Sequence, residues 1–454
     1  MAGSAVALRS RSASKSKNTP FSGLQVRSTL FYIPAEWLGW PVFGLGWLLA
    51  VWLVGCGVAV VRLARKPSGW AEIQHLLPLM LLGAAAIVWL LPGLVEYGVD
   101  GRPLGLPIRG YGVMLMLATL VAVSVAAHRA REVGIHPDVI YSLAFVMFVA
   151  GLVGARLFFI IEYWRQFVPP GGPRDLWATA KSMLNLAQGG LVVYGSVLLG
   201  VPAGAWYCWR KGLPLLAMAD LIAPSMALGL AIGRLGCFLN GCCFGGVCLN
   251  QPYAVTFPAG SPPYIQHQQQ GWHSGVWVES RHGEVVVAYL DPEGAAARAG
   301  LQPGDRLVAI DGRPVGSLAE ARRRLAVGGP NWEATTQDGR TIRWQSPLGP
   351  ARSVPVHPAQ LYAAIDAALL ALLLWAWYPL RRRDGELFAL LLLLHPVSRF
   401  LLEIIRTDEP GQFGTSLSIS QWLSGLLFLV GLLLAGYVAR QPRGVLKRVV
   451  AVAV

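Results

Sequence analysis

The chain has 454 residues, 54% of them hydrophobic and 14% charged, with 17 tryptophans and a mean hydropathy of +0.49. That composition excludes an ordinary soluble domain and marks a polytopic membrane protein. The formal charge of +14 argues for no nucleic-acid partner, because the informative basic residues form short clusters between apolar runs, the pattern of loops kept on the cytoplasmic side.

Residues 1–39 hold a basic tail, with ALRSRSASKSK inside it, and the segment 20–39, which reads either as an amphipathic interfacial element or as a simple loop. A bilayer core of about 30 Å needs about 20 apolar helical residues. Nine runs qualify: 40–64, 75–95, 108–130, 139–164, 189–209, 219–241, 357–378, 386–406 and 417–439. The first two, within 40–107, are additional N-terminal spans. The first run is long and has no small-residue cleavage site, so a cleavable signal sequence is not expected.

Basic clusters follow alternate spans: RLARK from Arg62, HRAR from His128, RKG from Arg210, RRR from Arg381 and RQPRGVLKR from Arg440. Those ends are expected in the cytoplasm, together with the basic tail 441–454. The N-terminus, the loops 96–107, 165–188 and 407–416, and the long segment 242–356 then face outward. The basic N-terminal tail opposes this orientation, and the five agreeing clusters outweigh it.

Segment 242–356 is too long and too polar for a simple connection. From Ser274 it alternates apolar and polar residues, is punctuated by Gly and Asp, and closes on a helix-like run. Its string AARAGLQPGDRLVAIDGRPV resembles the PDZ family, which implies a small α+β domain over 273–347. In that family a peptide adds to a sheet edge and a loop of amides holds its carboxylate. The resemblance places that loop at Gly275, Val276, Trp277 and Val278, although Trp277 stands where the family has small or aliphatic residues. A domain that only shields the outer face is the alternative.

The chemistry gathers in four clusters. GRLGCFLNGCCFGG begins at Gly233 and puts Arg234 inside an apolar span, where an ionised group is costly and a functional candidate; an arginine snorkelling to the interface is the plain alternative. A planar guanidinium suits a phosphate diester, and a phospholipid headgroup supplies one at that depth. HPAQLY, from His357, reads as a helix start with Pro358 in the first turn. SRFLLEIIRTDEPGQ carries Arg399, Glu403 and Arg406 at helical spacing, so that Arg399 pairs with Glu403 while Arg406 points out at the outer end. QGGLVVYGSVLLG opens a span with paired glycines and Tyr194.

Taken in order with IRGYG (from Ile108), GARLFF (from Gly154), YAVTFP (from Tyr253) and LSISQW (from Leu417), these clusters resemble the prolipoprotein diacylglyceryl transferase family over 108–439. The implied core is 108–272 and 348–440, interrupted by the PDZ-like insertion. The resemblance implies transfer of a diacylglyceryl group from phosphatidylglycerol to the lipobox cysteine of preprolipoproteins, in a bacterial cytoplasmic membrane and with no metal or cofactor. It makes Arg234 and Arg406 the phosphate-binding residues. Asn240 and Gly245 belong to the signature, and Tyr111, Gln360 and Tyr362 line the site. Arg156, Gly190, His357, Arg399 and Glu403 stand in the matching motifs as substrate-binding candidates.

Four positions depart from the family pattern. Tyr194 stands where the family carries its usual His, removing a convenient base. Cys237 replaces an Asn, Cys242 an acidic residue and Ala363 a Glu. Either the acid–base chemistry is altered, with Tyr194 as base, or the chain binds lipid without transferring it. Cys237, Cys242, Cys243 and Cys248 follow C-x4-C-C-x4-C, which is not a common zinc or iron–sulfur spacing; the readings are a disulfide between two of them in an oxidising compartment, apolar packing for Cys237 as for Cys56 and Cys208, and a covalent acceptor role for Cys242 or Cys243. An intramembrane protease is disfavoured because the chain has no H-E-x-x-H and no G-x-S-x-G in a span. A non-catalytic scaffold that captures protein segments with its PDZ-like domain is the rival class.

Overall fold

The computed structural model describes residues 24–25, 28–66, 69–97, 101–168, 175–184, 190–248, 251–290, 294–327, 331–345, 352–406, 411–412 and 414–444. The tail 1–23, Gln188 and Gly189 of the glycine cluster, residues 407–410 of the loop 407–416 and 445–454 of the basic tail lie outside the described residues. The chain forms two compact units, Arg27–Cys243 with Ala359–Val454, and Met1–Val26 with Phe244–Pro358.

In chain order the helices are α1 (Trp47–Ala64), α2 (Gly69–Ala85), α3 (Gly110–Glu132), α4 (Pro137–Glu162), α5 (Trp164–Phe167), α6 (Leu176–Leu184), α7 (Val193–Arg210) and α8 (Leu215–Asn240). Then come α9 (Pro262–Gln269), α10 (Ala295–Arg298) and α11 (Leu318–Val327) in the inserted unit, and α12 (Ala359–Trp377), α13 (Glu386–Ile405) and α14 (Ile419–Arg440). Among the described residues eight helices are long and apolar enough to cross a membrane: α1, α2 continued to Leu94, α3, α4, α8, α12 continued to Leu380, α13 and α14. The ninth expected span appears as α7, which has 18 residues. Tyr194, Trp206, Tyr207, Trp209 and Arg210 dilute its apolar character, and so it falls outside that set.

The described part of segment 20–39 holds short strands. Thr29–Ile33 is a strand, antiparallel to Pro103–Arg109, which also pairs with Glu96–Tyr97. Glu36–Trp37 and Trp40–Pro41 then form a small hairpin around Leu38 and Gly39, both at positive φ. α1 therefore begins at Trp47 rather than at residue 40.

Two contacts hold the helical unit in register. α4 and α7 touch backbone to backbone: a Cβ on Gly154 would lie 2.2 Å from the Gly195 carbonyl oxygen, and one on Gly195 would lie 2.2 Å from that of Gly154. Small residues at such a seam are how helices approach closely in lipid, where burial of apolar surface gives little drive. At the other end of the bundle, Asp220 of α8 is fully buried and accepts from the backbone N–H of Gly385 (2.8 Å) and Phe388 (2.9 Å). It serves as a cap, donated from a neighbouring helix, for amides that α13 cannot satisfy itself.

The inserted unit is α+β, as the alternation requires. Val276–Arg281 pairs antiparallel with Glu284–Leu290, and a four-stranded antiparallel sheet runs in the order Arg313–Pro314, Leu307–Ile310, Asn331–Thr336, Thr341–Gln345. Val276, Val278, Val287, Ile310, Leu325, Trp332 and Trp344 form its buried core. The compact unit also takes in 244–272 and 348–358, outside the 273–347 boundaries. There the two chain passages form a neck: Gly245 N–H donates to His357 O (3.0 Å), His357 N–H to Gly246 O (2.9 Å), Val255 N–H to Val356 O (3.0 Å) and Val356 N–H to Val255 O (2.9 Å). YAVTFP and the residues just before HPAQLY are thus partners in one ladder.

In the loop expected to hold a carboxylate, the Gly275 N–H donates to Trp272 O and the Val276 N–H to Ser274 Oγ. Those two amides are engaged within the chain. Trp277 lies between Trp272 (ring centroids 4.9 Å) and Tyr289 (4.5 Å), which explains an aromatic residue at that position. The remaining edge of Val276–Arg281 has no ladder partner among the described residues, since its sheet has two strands. Burial pushes His267, stacked on Trp272, down to about 3.

Replacing Gly154 with Val forces side-chain atoms into a carbonyl that cannot move aside. The variant should lose about 3 kcal/mol of stability, seen as a lowered melting temperature in detergent, whereas Gly57→Ala, with nothing within 4 Å, should melt with the parent.

Candidate active site

Four helix ends meet at one end of the helical unit: the C-termini of α8 and α13 and the N-termini of α12 and α14. Gly241 closes α8 in the left-handed conformation (φ +79°), its N–H donating to Cys237 O, a glycine C-cap that turns the chain sharply. Ser418 and Gln421 form a reciprocal capping box at the start of α14. Between these ends a small cavity is lined by Arg234, Cys243, Ala359, Gln360, Ala363, Arg399, Leu402 and Arg406. Three guanidinium groups in one cavity make an anion site.

One carboxylate organises two of them. Glu403 is 5% exposed; its Oε2 accepts from Arg399 Nη1 and, at 3.1 Å, from Arg406 Nη1. Its Oε1 accepts from Ser418 Oγ (3.0 Å). Arg399 Nη2 donates to Ser420 Oγ (3.0 Å), which lies 3.2 Å from the Tyr194 hydroxyl. The expected Arg399–Glu403 pair is present. Arg406 does not point out as expected: its side chain is 6% exposed and folds back on Glu403, because a shared, buried carboxylate offers more than the interface does. Among the described residues no carboxylate lies within ion-pair distance of Arg234, so the cavity keeps an excess of positive charge.

Gln360 is 1% exposed. Its Nε2 donates to Cys242 O (2.7 Å), and its Oε1 is buried with no hydrogen-bond partner among the described residues. A buried acceptor without a donor is costly, and this one borders the arginine cavity.

The other expected residues divide. Tyr194 does not line the cavity; its hydroxyl meets Ser420 Oγ, which accepts from Arg399 Nη2. Arg156 Nε donates to Met183 O (2.7 Å), Nη2 to Ser182 O (2.9 Å) and Nη1 to Gly190 O (3.0 Å), so it ties the end of α6 to Gly190 ahead of α7. Gly190, at φ +82°, sits where a Cβ would strike the Phe159 ring. Tyr111 packs on Gly236 of α8 and is 39% exposed. Asn240 ends α8, and Tyr362 follows Gln360 on α12. Gly245 and His357 belong to the neck of the inserted unit, where the rings of His357 and Tyr253 lie 5.9 Å apart.

All six cysteines are free, so the disulfide reading of the C-x4-C-C-x4-C run is not met. Instead the sulfur atoms of Cys237, Cys242 and Cys243 lie within 4.8 Å of one another, a grouping that could hold a metal ion. Cys243 adopts φ +59°. Its thiol is held low by hydrogen bonds from Cys237 and Cys242, with Arg406 and Arg234 adding to the effect. Motif reading missed Ser418 and Ser420 as parts of the site. The serines lie within LSISQW, and the S-x-x-Q capping signature was the signal for them.

The fold and cavity define a polytopic membrane protein with three arginines gathered at one end of its bundle. Residues 102–437 match the family model described as prolipoprotein diacylglyceryl transferase. The phosphatidylglycerol–prolipoprotein diacylglyceryl transferase of Rhodopirellula baltica is 34% identical over 436 residues, covering 88% of this chain and 86% of that protein. The Clostridium tetani protein of the same name is 26% identical over 72% of this chain and 92% of its own length. The chain belongs to the prolipoprotein diacylglyceryl transferase family.

Glu403→Gln removes the counter-charge of two buried guanidinium groups. Breaking a buried ion pair costs about 3–5 kcal/mol, and a corresponding fall in melting temperature is expected, with no such fall for the exposed Glu279→Gln in the inserted unit.

Proposed function

We propose that this chain transfers the diacylglyceryl group of phosphatidylglycerol to the thiol of a lipobox cysteine, releasing glycerol phosphate, in the maturation of bacterial lipoproteins. The observation that carries this is the cavity of Arg234, Arg399 and Arg406 with one carboxylate among them, in a chain whose relatives bear that enzyme's name. Membership of the family and the bacterial relatives agree with a multi-pass membrane protein, and we place the arginine cavity and the inserted unit at the outer face of the cytoplasmic membrane.

In this reading Arg234 and Arg406 hold the lipid phosphate, and Arg399 extends the positive field from behind. Sulfur attacks the glycerol carbon that bears the phosphate, the C–O bond breaks, and the electron pair leaves on a phosphate oxygen. Fixed guanidinium groups in a site with little water stabilise that developing charge without reorganising. Gln360 Oε1 accepts from a hydroxyl of the glycerol headgroup. Tyr194 and Ser420 position Arg399.

Purified protein in phosphatidylglycerol liposomes with a lipobox peptide should give a diacylglyceryl adduct by mass spectrometry. Arg234→Ala should slow it by about 100-fold or more, and Tyr194→Phe by no more than about tenfold, as befits a group acting through two others. Gln360→Leu should reduce the preference for phosphatidylglycerol over phosphatidylethanol, which lacks the headgroup hydroxyls, by about tenfold. Folded protein that binds lipid yet forms no adduct would favour the scaffold instead.

The inserted unit, on this reading, raises the local concentration of protein substrates. Deleting 273–347 should raise KM for a full-length preprolipoprotein more than for a short lipobox peptide; equal changes would remove that role.

A further inference from the structure

The thiols beside the arginine cavity are not absorbed by the phosphate-binding account. Cys237 lies in the last turn of α8, and Cys242 and Cys243 lie just past its cap, yet their three sulfurs converge within 4.8 Å. Two backbone reversals make this possible. Gly241 takes φ +79° and Cys243 takes φ +59°, a conformation that favours glycine but is here held by a cysteine. The Cys242 carbonyl is tied to α12 by Gln360 Nε2, so the loop is held from outside itself. No histidine or carboxylate joins the three among the described residues.

We propose that Cys237, Cys242 and Cys243 bind a zinc ion whose open fourth position takes the lipobox thiol as its thiolate; this rests on the transferase reading. Three protein ligands and a vacant position are the arrangement of a catalytic zinc, and a structural site would fill all four. Zinc–sulfur bonds of about 2.3 Å in tetrahedral geometry bring sulfurs to about 3.8 Å apart, a small closure of the observed cluster. Three thiolates around a divalent ion carry a net single negative charge, which Arg234 and Arg406 face. Cys243 itself lines the cavity, so the open position lies beside the place assigned to the phosphate.

The chemistry answers a specific want. The reaction needs a thiolate, since a thiol is a poor nucleophile. Tyr194, standing at the family's usual histidine, does not line the cavity. A thiol that coordinates a metal loses its proton outright, and that proton passes to water. The coordinated sulfur then forms its bond to the glycerol carbon, the C–O bond breaks, and the phosphate leaves with the electron pair. The resulting thioether is a weak ligand and departs, restoring the open position.

Full-length protein purified in detergent without chelators should contain about one zinc per chain. Cobalt(II) exchange should give a sulfur-to-cobalt charge-transfer band. Cys237→Ser and Cys243→Ser should lower both at least tenfold, and Cys208→Ser, a buried thiol of α7, should leave them unchanged. A lipobox peptide should shift the cobalt d–d bands without any phosphatidylglycerol present, and the same peptide with Ser for Cys should not. Folded protein that takes up neither metal, a disulfide between any two of the three cysteines, or full transfer by metal-free protein would each overturn the zinc site while leaving the transferase reading intact. Metal bound and peptide coordinated, with no adduct from any preparation, would overturn the transferase reading and the activation step with it.

Discussion

Glu403 is the carboxylate on which the rest of the site depends. Two guanidinium groups buried near the end of a membrane helix would be prohibitively unfavourable alone. Sharing one carboxylate, which is itself bonded to Ser418, makes their burial tolerable while leaving the cluster positive. Neutrality would make a salt bridge; an excess of positive charge makes a receptor. The surplus is supplied by Arg234 from a different helix, so the anion site exists only when α8 and α13 are assembled.

That dependence explains the framework around it. Asp220 fixes the start of α13 against α8 at the far end of the bundle, and the capping box of α14 places Ser418 and Ser420 beneath the arginines. The glycine seam between α4 and α7 brings Tyr194 to Ser420. Arg156 holds the segment that leads into α7 through three backbone carbonyls. These residues do not line the arginine cavity, yet each bears on the position of an element that does.

Much of the fold was legible in the sequence because bilayer thickness imposes a length on apolar runs, and the inserted α+β unit declared itself by alternation around Val276 and Val278. The first span was read too long because Pro41, Gly44 and Gly46 look apolar in a window yet make a hairpin and a bend. Arg234, Arg399, Glu403 and Gln360 were legible as charges and amides inside spans. The fold-back of Arg406 was not, since it depends on a carboxylate one turn away becoming buried under another helix. The thiol cluster was equally hidden: linear spacing grouped four cysteines, whereas two left-handed residues gather three and leave Cys248 in the other unit.

In the proposed reaction the lipid phosphate sits among Arg234, Arg399 and Arg406. Cryo-electron microscopy of the full chain in phosphatidylglycerol nanodiscs tests it most directly. Headgroup density within hydrogen-bonding distance of Arg234 and Arg406, with a glycerol hydroxyl on Gln360 Oε1, is the predicted result. A lipid phosphate bound elsewhere, with the cavity still closed around Glu403, would contradict it.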